Sequence, residues 1–241
     1  MWNKIEKFQI LLLAVIFTIG GILATGMVVN SLANNSVSVT GSYSQNVTSD
    51  NGMLEVELNA RKANKSAAYE TLNKQRPVVI EYLNKQGFKQ EDIEVKSANG
   101  YNIYEVTPSG ASTNNIVAFS ASQRISVRSA DVQKIKKIST EITDLTSQGI
   151  DLNVFEPEYF YSKLSDLKVR MLEEAAKDAK NRACAMLKPT HNRVGKIKSV
   201  KMGVFQVTPV DSNSVSDYGI NDTSSIEKKV TSVANVTFGI K

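Results

Sequence analysis

Cysteine and histidine occur once each in 241 residues, and proline only five times. A lone Cys184 rules out an intramolecular disulfide, so the fold has to be held by its core. It falls in an alanine-rich helical pattern, where a buried small apolar residue is expected rather than a redox thiol. A lone His191 rules out a two-histidine metal site within one chain, and any Ser-His-Asp triad would have to use it. Its context, Lys188-Pro189-Thr190-His191-Asn192, is a turn between a helix and a strand, where an exposed loop position is expected. Neither GxxxxGK[ST] nor GxGxxG occurs, so the sequence carries no phosphate-cradling loop of those kinds. Long runs of one charge are missing as well. The formal charge is +5, but the longest basic runs are the pairs Arg61-Lys62, Lys136-Lys137 and Lys228-Lys229, expected on the solvated surface. No basic stripe is interleaved with aromatics, so no nucleic acid is expected as a partner. Glu156 with Glu158 and Glu173 with Glu174 are expected to be surface carboxylates, leaving no catalytic, cofactor-binding or metal residues to assign.

What the sequence does have is one long hydrophobic run. Phe8 to Val29 contains no charge, and about 22 residues of helix span about 33 Å, enough to cross a hydrocarbon core of about 30 Å. The run exceeds the apolar region of most export signals, although Ser31-Leu32-Ala33 offers a small-x-small cleavage site. Residues 1–33 are therefore expected to be a membrane anchor or signal segment, with the length favouring a retained anchor. Lys4 and Lys7 precede the run, and no basic residue follows it until Arg61, which keeps the N-terminus in the cytoplasm. Asn34, Asn35 and Ser36 form a polar exit. Residues 34–241 are expected as one α+β domain in the periplasm or outside the cell, tethered by a single pass of the inner membrane.

Within that domain Val37, Val39 and Gly41 alternate with polar residues, and Leu54, Val56, Leu58 and Ala60 do so after Ser49-Asp50-Asn51-Gly52. The pattern predicts a hairpin. A helix follows with Ala68, Leu72, Val79 and Leu83 on one face and Gly87 as its stop, and Pro77 predicts a kink or a division into two shorter helices. Strands are expected near 93–106 and 116–127, the second with Val117, Phe119, Ala121, Ile125 and Val127 on one face. Then comes a helix capped by Asp131 and ended by Gly149. A short strand at 152–155 is interrupted by Pro157, which places it at a sheet edge or bulge. The longest helix carries Leu164, Leu167, Met171, Ala175, Ala179, Ala183 and Met186, its alanines permitting close approach to a sheet or helix. Strands at 196–207 and 230–240 end the chain. The order is ββαββαβαββ, three helices on a largely antiparallel sheet, preceded by the N-terminal transmembrane or signal helix.

The polar loop between the last two strands holds Asp211, Asn213, Asp217 and Asp222. Oxygen-rich, it invites a Ca²⁺ reading, but counted from Asp211 it has Ser216 where an EF-hand needs glycine and Asp222 where it needs glutamate. No cofactor is expected. A ligand- or ion-binding module using residues 208–226 stands as the alternative function.

Ser36-Val37-Ser38-Val39-Thr40-Gly41 resembles the start of the SIMPL-domain (YggE-like) family of bacterial envelope proteins. Tyr82-Leu83-Asn84-Lys85-Gln86-Gly87 with Gln90-Glu91-Asp92-Ile93 is similar to that family's helix end and following strand. The run from Glu174 to Ala183, followed by Val194-Gly195-Lys196-Ile197, is similar to its long helix and next strand. The resemblance covers about residues 36–207. The chain departs from the family pattern at Lys188-Pro189-Thr190 and at Pro77. The resemblance implies a non-enzymatic envelope protein that forms homo-oligomers and supports envelope or oxidative-stress functions, with no catalytic residues to carry over.

Overall fold

A computed structural model describes residues 2–32 and 35–241. The elements in chain order are α1 (Trp2–Leu32), β1 (Ser36–Thr48), β2 (Asn51–Lys62), α2 (Lys65–Lys85), β3 (Ile93–Val95), β4 (Asn99–Val106), β5 (Ser112–Ser129), α3 (Val132–Glu141), β6 (Leu152–Val154), β7 (Glu158–Phe160), α4 (Leu164–Leu187), β8 (Val194–Met202), β9 (Gln206–Pro209), β10 (Ile220–Asn221) and β11 (Glu227–Ile240). The α+β class holds, with the largely antiparallel strands divided between two sheets. One has the order β3-β5-β2-β6, with β4 also on β5 and β7 also on β2; the other has the order β1-β11-β9-β10, with β8 also on β11. Among these strands β9 and β10 run parallel.

The expected hairpin of the first two strands does not form, because β1 and β2 lie in different sheets. The turn between them is there, but its polar groups are used elsewhere. The Ser49 amide donates to Ile226 O, the Asp50 amide donates to Phe160 O, and the Asp50 carboxylate accepts from the amide and hydroxyl of Ser162 at 2.8 and 2.6 Å. These bonds direct the chain from one sheet to the other instead of folding it back.

The chain divides into two compact units. One comprises Tyr43–Met171 and Val204–Ser232. Its main core lies where α2 and α3 cover the β2/β5 sheet: Leu54, Val56 and Leu58 alternate inward from β2, Ala121, Ile125 and Val127 from β5, Leu72, Val79 and Leu83 from α2, and Ile135 and Ile138 from α3. Helix α2 is one element across Pro77, so the division into two helices does not occur; its buried face continues on both sides of the proline, from Leu72 to Val79. Asn64 caps it through the Ala67 amide, and Asp131 caps α3 through the Lys134 amide. Gly87 and Gly149 have φ of +81 and +83, the left-handed conformation that ends a helical turn. Strands β6 and β7 pair with β2 on either side of Pro157, which fits the expected interruption. A smaller cluster gathers Val47, Leu167, Met171, Val207 and Val230.

The other unit comprises Met1–Ser42, Leu172–Gly203 and Val233–Lys241. Here α4 lies close to β1 because neither surface has bulk. A Cβ added at Gly41 would stand 2.2 Å from the Ala175 carbonyl oxygen and 2.4 Å from the Ala179 amide nitrogen, and Ala175, Ala179 and Ala183 are fully buried. The Ser42 amide donates to the Asp178 carboxylate, which also pairs with Arg182 at 2.7 Å. Two expectations for this helix are corrected. Cys184 is exposed, and Met186 is exposed with Leu187 buried in its place. The buried stripe runs 175, 179, 183, 187, and Cys184, one position after 183, and Met186, one before 187, are each turned about 100° from their buried neighbour.

Among the residues described with their side chains, no helix is long and apolar enough to cross a membrane. The longest continuous stretch so described in α1 is 12–26, and a span takes about 20 residues. Ala33 and Asn34, part of the expected cleavage site and polar exit, lie outside the described residues.

Candidate interaction surface and a buried ion pair

Strand β5 is longer than its neighbour β2. Their pairing ends at Lys62 opposite Phe119, whereas β4 continues along β5 from Ser122 to Ser112. Residues beyond that end form a two-stranded arm, closed at its tip by the Thr107 amide donating to Ala111 O and the Gly110 amide to Thr107 O. Apolar side chains on it and at its base are open to solvent: Tyr101, opposite Ser120 at the base, is 67% exposed, and on the arm Tyr104 is 42%, Val106 61%, Ile116 52% and Val117 48% exposed. Tyr104 and Ile116 face each other across the strands. Isolated apolar residues are ordinary on a surface, but a contiguous group is a mark of an interaction site.

The outward face of the same sheet is charged. Arg124 bonds Glu55 at 3.0 Å and Glu57 at 3.1 Å, Lys96 pairs with Glu55, and the Arg124 guanidinium lies 5.0 Å from the Phe155 ring centroid. The hydrogen bond donated to Glu57 leads in raising the Arg124 pKa above its ordinary value, with Glu55 acting the same way.

Lys228 is a second unexpected arrangement. It is only 2% exposed, contrary to the solvated position expected for the Lys228-Lys229 pair. Its Nζ donates to the Asp222 carbonyl oxygen at 2.7 Å and lies 3.3 Å from the Asp222 carboxylate. The reason is the alternation of β11. Val230, Ser232, Ala234, Val236 and Phe238 are buried, and the same period extended backward puts Lys228 inward and Lys229 partly outward. The signal is in the sequence, but it starts at the polar end of a strand, where two adjacent lysines read as surface. Burial lowers the Lys228 pKa, with Asp222 opposing the shift. For Asp222, burial works against the charged form, but bonds from Ser224 and Ser225 and the charge of Lys228 outweigh it and the pKa falls. A cavity of about 130 Å³ adjoins the pair, lined by Val47, Tyr161, Leu164 and Val230 among others.

The carboxylates of the acidic loop do not gather at one point. The Asp222 carboxylate is committed to Lys228 and Ser224, and among the described residues no group of three or more His, Cys, Asp or Glu side chains is placed to hold a metal ion. His191 caps a 3-10 turn with φ +58 and is exposed, the position expected for it. Glu173 and Glu174 both pair with Lys177 on the solvated side of α4, while Glu156 is exposed and Glu158 half-buried.

A two-sheet α+β protein with an apolar arm, a glycine-to-alanine contact between β1 and α4, and a buried ion pair is the class these features define. The motifs quoted above fall on β1, the end of α2, α4 and β8. The family model of SIMPL, described as a protein of unknown function (DUF541), matches residues 37–238, and the chain belongs to that family. No curated protein matches the chain.

Proposed function

We propose that the protein is a non-catalytic, membrane-tethered envelope protein that self-associates and supports envelope or oxidative-stress functions. The observation carrying the tether is the uncharged run Phe8–Val29, all of it within α1, with Leu12, Phe17, Ile22 and Leu23 exposed. In water such a helix has no partner for its apolar side chains; in a bilayer it has one. Lys4 and Lys7 on one side favour an orientation with the C-terminal domain in the periplasm or outside the cell. Docking rather than bond-making is supported by the exposed apolar arm and by the exposed turn position of the single histidine.

Two measurements on the full chain test the reading. Alkaline extraction of native membranes is expected to leave the protein in the pellet, and light scattering in mild detergent is expected to give a protein mass above that of one 26.4 kDa chain. Recovery of the intact chain in the soluble fraction would refute the tether. A single-chain mass at every concentration would refute self-association.

A further inference from the structure

We infer that the β4–β5 arm is the element through which one copy of the chain docks on another, arm against arm. The inference rests on the self-association proposed above and names where it takes place.

Among the described residues, β5 from 112 to 118 has no strand on the side that β2 occupies further along, and β4 pairs only with β5. A two-stranded ribbon is marginal by itself in water, and its open edges invite pairing. The edge strand β8 shows how such exposure is guarded. Its Ile197, Val200 and Met202 are as exposed as the arm's residues, but Lys196, Lys198 and Lys201 stand between them. Residues 99–117 have no such guard: Glu105 is their only charged residue, and its carboxylate accepts a bond from Asn115 Nδ2 at 3.1 Å.

The composition selects the occupant. An arm without a cation and with one internally bonded carboxylate offers a charged partner nothing to pair with, so its partner is equally uncharged and apolar. A second copy of the arm meets that requirement, and a two-fold axis repeats the same patch on both sides. With aromatic side chains presenting about 150–250 Å² each and aliphatic ones somewhat less, the five partly exposed residues offer at most roughly 500 Å² per arm. Two arms together then bury up to on the order of 1,000 Å², the size of a weak, reversible association. The register shifts between Ile103 and Tyr104 and between Tyr104 and Val106 mark bulges, which raise local twist and disfavour simple edge-to-edge extension. The two ribbons therefore clasp one another through their side-chain faces, with Tyr104 and Ile116 at the centre.

The test uses the full chain in native membranes and in detergent. A benzophenone amino acid replacing Tyr101 is expected to give, on irradiation, a product of twice the chain mass, and the same replacement at Lys198 is expected to give none. The double variant Tyr104→Lys/Ile116→Lys, with an unchanged circular dichroism spectrum, is expected to weaken association by at least about tenfold. A crosslink from position 101 to lipid or to a different polypeptide would overturn the inference, as would equal yields from positions 101 and 198. So would a double variant that associates like the parent, and that outcome leaves the self-association reading standing. A parent chain that stays single in detergent overturns both. If the double variant fails to fold, the crosslink from the otherwise unaltered chain decides.

Discussion

Replacing Gly41 by alanine tests the close approach of α4 to β1. The new methyl carbon would lie 2.2 Å from Ala175 O, 2.4 Å from Ala179 N and 2.8 Å from Ala179 Cα, where ordinary contact begins near about 3.5 Å. All three obstructing atoms are main chain, so α4 has to retreat by about 1 Å. A gap of that size forfeits about a quarter to a half of each dispersion contact along the buried Ala175 and Ala179. Overpacking of this kind costs about 1–3 kcal/mol. Gly41 is not in the left-handed region, so alanine is not strained there and regains about 0.4–1 kcal/mol by restricting the unfolded chain. The net expectation is a loss of about 1–2 kcal/mol, read as a fall of about 0.5–1 M in the urea midpoint for the full chain in mild detergent. Since the obstruction is backbone, Gly41→Ala combined with Ala175→Gly or Ala179→Gly should show no recovery. A midpoint within about 0.2 M of the parent, or recovery in either combination, would refute the close-approach argument.

The Lys228 and Asp222 substitutions should be non-additive. Asp222→Ala strands a buried ammonium and is expected to cost about 3–5 kcal/mol; Lys228→Met strands a carboxylate that is 9% exposed and should also destabilise, though less because Ser224 still bonds it, whereas the double variant Asp222→Ala/Lys228→Met should cost less than Asp222→Ala alone, all read by thermal unfolding. Acid stability should follow Asp50 and Asp222. At each, burial raises the pKa, but serine hydrogen bonds, led by Ser162 and Ser224 respectively, and a neighbouring lysine leave it below 3.8. A lowered folded value means stability that is complete above 3.8 and lost as the pH falls through the folded values, so denaturation midpoints should drop in that window, and drop less in Asp50→Asn. Lys228 has the opposite sign. Its lowered pKa costs stability while the lysine is charged in both states, and that cost should lessen as the pH rises through the folded value towards 10.5, an alkaline gain that Lys228→Met should abolish. Gly149→Ala meets nothing within 4 Å but sits at φ +83, so its cost is backbone strain alone, about 1–2 kcal/mol in a urea titration, and Gly149→Asn should cost less. Equal losses for alanine and asparagine would count against that account.

Local elements were legible because their signals lie within a few residues of one another. The alternation of Leu54, Val56 and Leu58, the stripe of Ala175, Ala179 and Ala183, the Asp131 cap and the Gly87 and Gly149 stops are all where the pattern puts them. Periodicity states which face is apolar, but not what covers it. Val117 shares the expected face of β5 with the buried Phe119 and Ala121, yet it is 48% exposed because β2 ends opposite Phe119. The candidate interaction surface is thus a consequence of unequal strand lengths, which no window of sequence contains. Its one legible trace is the scarcity of charge from 99 to 117.

By itself the amino-acid sequence determined the family, the α+β class, the charge-free run at the N-terminus and the faces of its helices and strands. Tertiary structure alone decided that β1 and β2 join different sheets, that Asp222 is the partner of the inward Lys228, and that the end of β5 stands uncovered. The physical reason is separation along the chain. Asp50 turns the backbone by bonding Ser162, 112 positions away, and a partner at that distance leaves no periodic mark near the residue whose path it sets.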